Sequence, residues 1–157
     1  MTSMLQQWTT PDFDSLSWHD ASVHAFRFTS PNQPYRSPNL ELDIDFILEW
    51  ILQPDRSYHF LLAPALLTFH DVTNLQISVP NLCPSVTMDL FSLDDIEREP
   101  LHQPAFQPSY QWRLKCQPSP FKSPAEFLFH SPAFTQRLTR APIVHPAQGF
   151  ASTEREC

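Results

Sequence analysis

Proline occurs 17 times in this chain of 157 residues and glycine once, at Gly149. Ordinary chains carry about 5% proline and about 7% glycine, so ladder breakers are in excess and the usual residue of left-handed turns is nearly absent. Proline cannot donate a backbone hydrogen bond, which confines it in sheets to edges, bulges and strand ends. Its clusters therefore punctuate the chain: Pro31, Pro34 and Pro38; Pro54; Pro80 and Pro84; Pro100, Pro104 and Pro108; Pro118, Pro120 and Pro124. The shortage of glycine also excludes chemistry that needs close backbone approach. No GxGxxG, Walker-type loop or GxSxG elbow can be written, which removes dinucleotide-binding enzymes, phosphate-loop NTPases and the usual serine hydrolases.

Between the prolines, apolar residues alternate with a period of two. Leu40, Leu42, Ile44, Phe46 and Leu48 fall on one side and Glu41, Asp43 and Asp45 on the other, the pattern of a strand half buried in an antiparallel sheet. The same parity joins Leu75, Ile77 and Val79, and again Tyr110, Trp112, Leu114 and Cys116. Further strands are predicted at Val23 to Phe28, Tyr58 to Leu62, Leu66 to Phe69, Val86 to Phe91 and Glu126 to His130, and Phe46 to Leu52 is read as the end of a long strand. One helix signal stands out, Ser92 to Glu99, with a capping serine, Asp94 and Asp95 in the first turn, and Pro100 as a stop. The expected fold is mainly β, an antiparallel sandwich or strongly curved sheet with one short helix. Residues 1–140 form the single domain, and 141–157, without periodicity, form a frayed tail.

The chain carries ten lysines and arginines against 17 acids, a net charge of -7. That sign opposes binding to a phosphate backbone, so nucleic acid is not an expected partner, and an acidic surface steers a basic one. Cys83, Cys116 and Cys157 lie outside any CxxC spacing and read as reduced thiols. Met1 to Asp14 has neither a basic nor an apolar leader region, and no apolar run reaches about 18 residues. A soluble, cytoplasmic protein with no membrane association is expected.

One element recurs. Leu16-Ser17-Trp18-His19-Asp20-Ala21-Ser22 matches Leu67-Thr68-Phe69-His70-Asp71-Val72-Thr73 position for position as leucine, hydroxyl, aromatic, His, Asp, small or branched apolar, hydroxyl. Two readings follow. If His19, Asp20, His70 and Asp71 converge, they can ligate a divalent metal such as zinc and activate water for hydrolysis. If they do not, each element is a turn whose aspartate caps local N–H groups while Trp18 and Phe69 fill the core. Adjacent strand residues point to opposite faces, so either reading needs a turn. The acids of Glu41, Asp43 and Asp45, about 6.6 to 7 Å apart along the strand, read as a solvated stripe that pairs across strands with Arg113 and Lys115. Tyr35, Phe106 and Tyr110, in proline-rich connections, are the candidate anchors for a protein partner.

The run Ser17-Trp18-His19-Asp20-Ala21, followed by Leu67-Thr68-Phe69-His70-Asp71-Val72 and an alternating apolar strand, resembles small uncharacterised bacterial β-rich proteins. It is also loosely similar to the immunity protein 50 family of polymorphic toxin systems. The shared pieces cover about a third of the chain, and the proline-rich stretches from Gln53 to Ser57 and Leu101 to Ser109, with the acidic strand Leu40 to Phe46, are outside the match. The resemblance implies a cytoplasmic, non-catalytic protein that neutralises a toxin by binding it, with an all-β or β-rich fold; outside the metal reading, no cofactor is expected. It carries over no binding residue beyond the two His-Asp elements.

Overall fold

The structure, a computed structural model, describes residues 5–30, 34, 36–78, 91–102, 109–117 and 125–155. The chain runs through β1 (Gln7–Thr9), a 3-10 turn (Thr10–Ser15), β2 (Ser22–Thr29), β3 (Asn39–Leu52), β4 (Tyr58–His70), β5 (Thr73–Ser78), β6 (Phe91–Leu101), β7 (Ser109–Gln117), β8 (Ala125–Ser131), β9 (Ala133–Leu138), β10 (Ile143–His145) and α1 (Ser152–Arg155). The strands form one antiparallel sheet in the order β1-β9-β4-β3-β2-β6-β7-β8-β5, with β10 also on β4. The sheet does not close into a barrel.

Alternation explains which face is buried. Leu40, Leu42, Ile44 and Phe46 of β3, with Ala63, Ala65, Leu67 and Phe69 of β4, enter a core shared with Trp112 and Leu114 of β7 and Phe127 and Phe129 of β8. Strands far apart in the sheet meet there. The Phe69 ring lies 5.1 Å from Trp112 and 4.8 Å from Phe129, and Phe26 lies 5.2 Å from Phe127. The sheet has therefore folded over on itself. The fold occurs between β2 and β6, which share only the pairs Ser22–Ser92 and Val23–Phe91. The expected mainly β fold, antiparallel and strongly curved, is what is observed.

The strand β4 is buried on both faces, which accounts for its continuous apolar run. A smaller cluster of Ile47, Phe60, Leu62 and Phe150 covers its outer side. Pro64 stands in the middle of this strand, so the separately predicted segments Tyr58 to Leu62 and Leu66 to Phe69 are one element. The proline is tolerated because the neighbouring strand is interrupted beside it. Along one edge, β9 pairs with Ala65–His70 and β10 with Phe60–Leu62. Between them the Pro64 carbonyl accepts from the Thr139 N–H at 2.8 Å and from its hydroxyl at 3.1 Å.

Four expectations are corrected. Ser92 to Glu99 is not a helix but part of β6, and the short helix is α1. A register shift between Leu93 and Asp95 puts Leu93 and Ile96 both in the core, an i, i+3 spacing that imitates a helical stripe. The Glu41, Asp43, Asp45 row is not a solvated stripe, because Asp45 is fully buried. Arg113 and Lys115 do not face that row; Arg113 bonds Glu126 at 2.5 Å and Lys115 bonds Glu97 at 2.7 Å, on flanking strands. Nor is the tail from Arg140 frayed over its described part, since β10 pairs with β4 and Phe150 is buried. Tyr35, Phe106, Cys83, Cys157 and most of the strand expected at Val86 to Phe91 lie outside the described residues.

Candidate functional site

Both His-Asp elements sit in turns whose aspartate takes the left-handed conformation, Asp20 at φ 66° and Asp71 at φ 49°. Aspartate tolerates that region better than most residues, which suits a chain almost free of glycine. The flanking aromatics Trp18 and Phe69, and the following Ala21 and Val72, are buried, and each element launches a strand. His19 contacts Asp20 at 2.9 Å and Asp94 at 3.7 Å, and its ring lies 6.4 Å from Trp50. His70 instead bonds the Thr135 hydroxyl at 3.0 Å, and Asp71 receives the Arg36 guanidinium at 3.7 Å. Trp50 pairs with Phe60 in β4, ten residues and about 33 Å of strand contour from His70. The four side chains therefore occupy two separate settings. Among the described residues no group of three or more His, Cys, Asp or Glu could hold a metal ion. Burial lowers the pKa of His70 against a smaller opposing effect of Asp71.

The densest polar cluster lies on the outer face, where residues 145–155 cross β2 and β3. Asp45 receives His24 Nε2 at 2.6 Å and the Phe150 N–H at 2.7 Å. Arg155 donates to Asp43 at 2.5 Å and places Nε 3.1 Å from Asp45 Oδ1, a charge contact without hydrogen-bond alignment. Burial alone disfavours the charged guanidinium, but the Asp43 hydrogen bond and the charges of Asp45 and Asp43 outweigh it and raise the Arg155 pKa. Gly149 makes this approach possible, because a Cβ there would stand 2.4 Å from Ser22 Oγ and 3.3 Å from Asp45 Oδ2. Glu154, its pKa lowered by the Ala151 N–H and then by His145, ties the tail back on itself.

Beside this clamp, at the break next to Pro64, opens a pocket of about 340 Å³ lined by Arg27, Asp43, Pro64, Leu66, Arg137, Thr139, Arg140 and Arg155. The register explains the lining, since Asp43 pairs with Leu66 and Leu66 with Arg137 in one cross-strand row. None of these arginines was singled out in the sequence. The available signal was the lone glycine beside an aromatic in a stretch without periodicity.

At the far end of the β3–β4 hairpin, Trp50, Leu52 and Tyr58 are 43%, 62% and 46% exposed. Trp50 and Leu52 share one side, opposite Phe60 and Tyr58, and the Trp50 ring meets those of Tyr58 at 5.9 Å and Phe60 at 5.0 Å. The turn beneath them is braced: Gln53 N–H reaches the Ser57 carbonyl at 2.8 Å, and Asp55 accepts from the Ser57 N–H and hydroxyl. Those Ser57 bonds also lower the Asp55 pKa. Tyr110, a sequence candidate for partner contact, is half buried against the core with the Arg98 guanidinium 4.6 Å over its ring. No helix among the described residues is long and apolar enough to cross a membrane.

No protein-family model matches the chain, and neither a curated protein nor a solved structure proves similar to it.

Proposed function

We propose that this chain is a non-enzymatic binding protein that captures a basic protein partner on the tip of the β3–β4 hairpin. The observation that carries the reading is the exposed trio Trp50, Leu52 and Tyr58 on a hydrogen-bonded turn. Tryptophan and tyrosine are the residues most enriched in binding hot spots, and a rigid support limits the entropy lost on docking. The charge of the partner follows from the surroundings. Glu49 and Asp55 flank the patch along the chain, with Arg56 as the positive charge of the turn, Asp20 and Asp94 approach it through His19, and the whole chain carries -7. An acidic rim around an apolar centre steers a basic surface towards it. Neutralisation of a toxin by occlusion is the finer form of this proposal.

The test compares wild type with the Trp50→Ala, Tyr58→Ala double variant. A partner identified by mass spectrometry after capture is purified and titrated calorimetrically against both. The proposal expects a basic protein bound at one to one, at least tenfold more weakly by the variant, with association slowed by salt. Equal affinity for both forms, or no stoichiometric partner, contradicts it. The metal-hydrolase alternative has its own measurement. Near-stoichiometric zinc, manganese or iron that disappears in a His19→Ala, His70→Ala variant would favour it, and the separate settings of the two histidines argue against that result.

A further inference from the structure

Four of the ten lysines and arginines of this acidic chain, Arg27, Arg137, Arg140 and Arg155, line the pocket beside Pro64. Two of them are answered by carboxylates: Arg27 by Glu41 at 2.8 Å, and Arg155 by Asp43 and Asp45. The other two are not. Arg140 donates to the backbone carbonyls of Glu154 and Arg155, which are neutral acceptors. Arg137 stands exposed in β9 with no side-chain partner among the described residues. Two guanidinium groups without a carboxylate partner among the described residues thus face one concave space, which Asp43, already paired with Arg155, also lines.

We propose that this pocket binds a dianionic oxyanion, specifically the phosphoryl group of a small phosphate monoester, held by Arg137 and Arg140. A guanidinium presents a planar fork of donors that fits phosphate oxygens two at a time, and it stays charged at any physiological pH. A phosphomonoester carries about -1.5 to -2 charges at pH 7 and three acceptor oxygens on one centre, which matches two unanswered cations. Arg140 keeps donors to spare, since a guanidinium has five N–H groups. The pocket volume falls at the small end of ligand sites, which run from about 300 to 1,000 Å³, and Pro64 and Leu66 offer an apolar wall to the ester substituent. The site is independent of the hairpin tip, so either proposal stands if the other fails.

The experiment is calorimetric titration of the full chain, at constant ionic strength, with inorganic phosphate, glycerol phosphate, succinate and acetate. The expected result is saturable one-to-one binding of both phosphates, at least tenfold weaker in Arg137→Gln, whose melting temperature stays that of wild type. Arg140→Gln weakens binding likewise, with the Phe150 amide checked for unchanged hydrogen exchange because Arg140 also bonds the tail. Absence of saturable binding by either phosphate, or an Arg137→Gln variant that binds as wild type does, overturns the site. Acetate binding as tightly as phosphate overturns the dianion requirement, and succinate binding tenfold more tightly overturns the phosphoryl assignment.

Discussion

His70 shows how a single side chain can report its setting through pH. Its ring is drawn into the sheet beside Thr135, and burial lowers its pKa from the ordinary 6.5. The unfolded chain then binds a proton at a pH where the folded chain does not. The stability due to neutral His70 is complete above pH about 6.5 and is lost as pH falls through the lowered folded value. Thermal unfolding followed from pH 7.5 to 5 is expected to show a drop in wild type that is smaller in His70→Gln. Identical slopes in the two proteins would refute this. Elsewhere the same kind of linkage acts lower on the scale, where Glu97, its pKa depressed by the Lys115 hydrogen bond, and Glu154 lose their contributions as they protonate. Cys116 is the inert counterpart, a thiol whose pKa burial pushes up to about 12. In the sequence Cys116 shares its parity with Trp112 and Leu114, and all three are buried in the core that desolvates it.

At the scale of elements, period-two alternation was readable wherever one face is buried and the ladder is regular. It located β3 and β7 because Leu42 and Trp112 each alternate with polar residues. It failed at β6, where one bulge converts a strand into an apparent helical stripe, since composition alone does not reveal a register shift. It also failed for the tail, because a segment that lies across a sheet face buries one or two residues and has no period to detect. Gly149 is the residue on which that segment turns. Replacing it by alanine puts a Cβ 2.4 Å from Ser22 Oγ, and even with that hydroxyl rotated away Ser22 Cβ at 3.1 Å and Asp45 Oδ2 at 3.3 Å force the tail to shift. Overpacking of this kind costs about 1 to 3 kcal/mol. Denaturant unfolding of Gly149→Ala is expected to show that loss, and Ser22→Gly in the same chain to restore part of it. A Gly149→Ala protein as stable as wild type would mean that the tail is not seated where it is described.

The whole molecule is a sheet folded over a common aromatic core, with its outer face finished by its own C-terminus. The candidate pocket is completed by that last step, because Arg155 comes from the tail and Arg140 bonds the tail's last described carbonyls, while Arg137 is contributed by β9. Function was therefore less legible than fold. The His-Asp repeat drew attention because its copies match class for class, yet the resemblance reflects a shared turn conformation. The arginines, scattered from Arg27 to Arg155, come together only through topology. The hairpin tip was equally hidden, since Trp50 continues an apolar strand that elsewhere faces the core. Removing one partner of a buried charge pair costs about 3 to 5 kcal/mol, so Asp45, which receives His24, Arg155 and the Phe150 amide together, is the point at which the arrangement can be probed. Hydrogen exchange of the Phe150 amide, followed by nuclear magnetic resonance, tests it most directly. In wild type that amide is predicted to exchange as slowly as the amides of β4, and in Asp45→Ala to exchange at least a hundredfold faster. A Phe150 amide that already exchanges at the rate of an unstructured peptide in wild type would contradict the docked tail and the pocket built upon it.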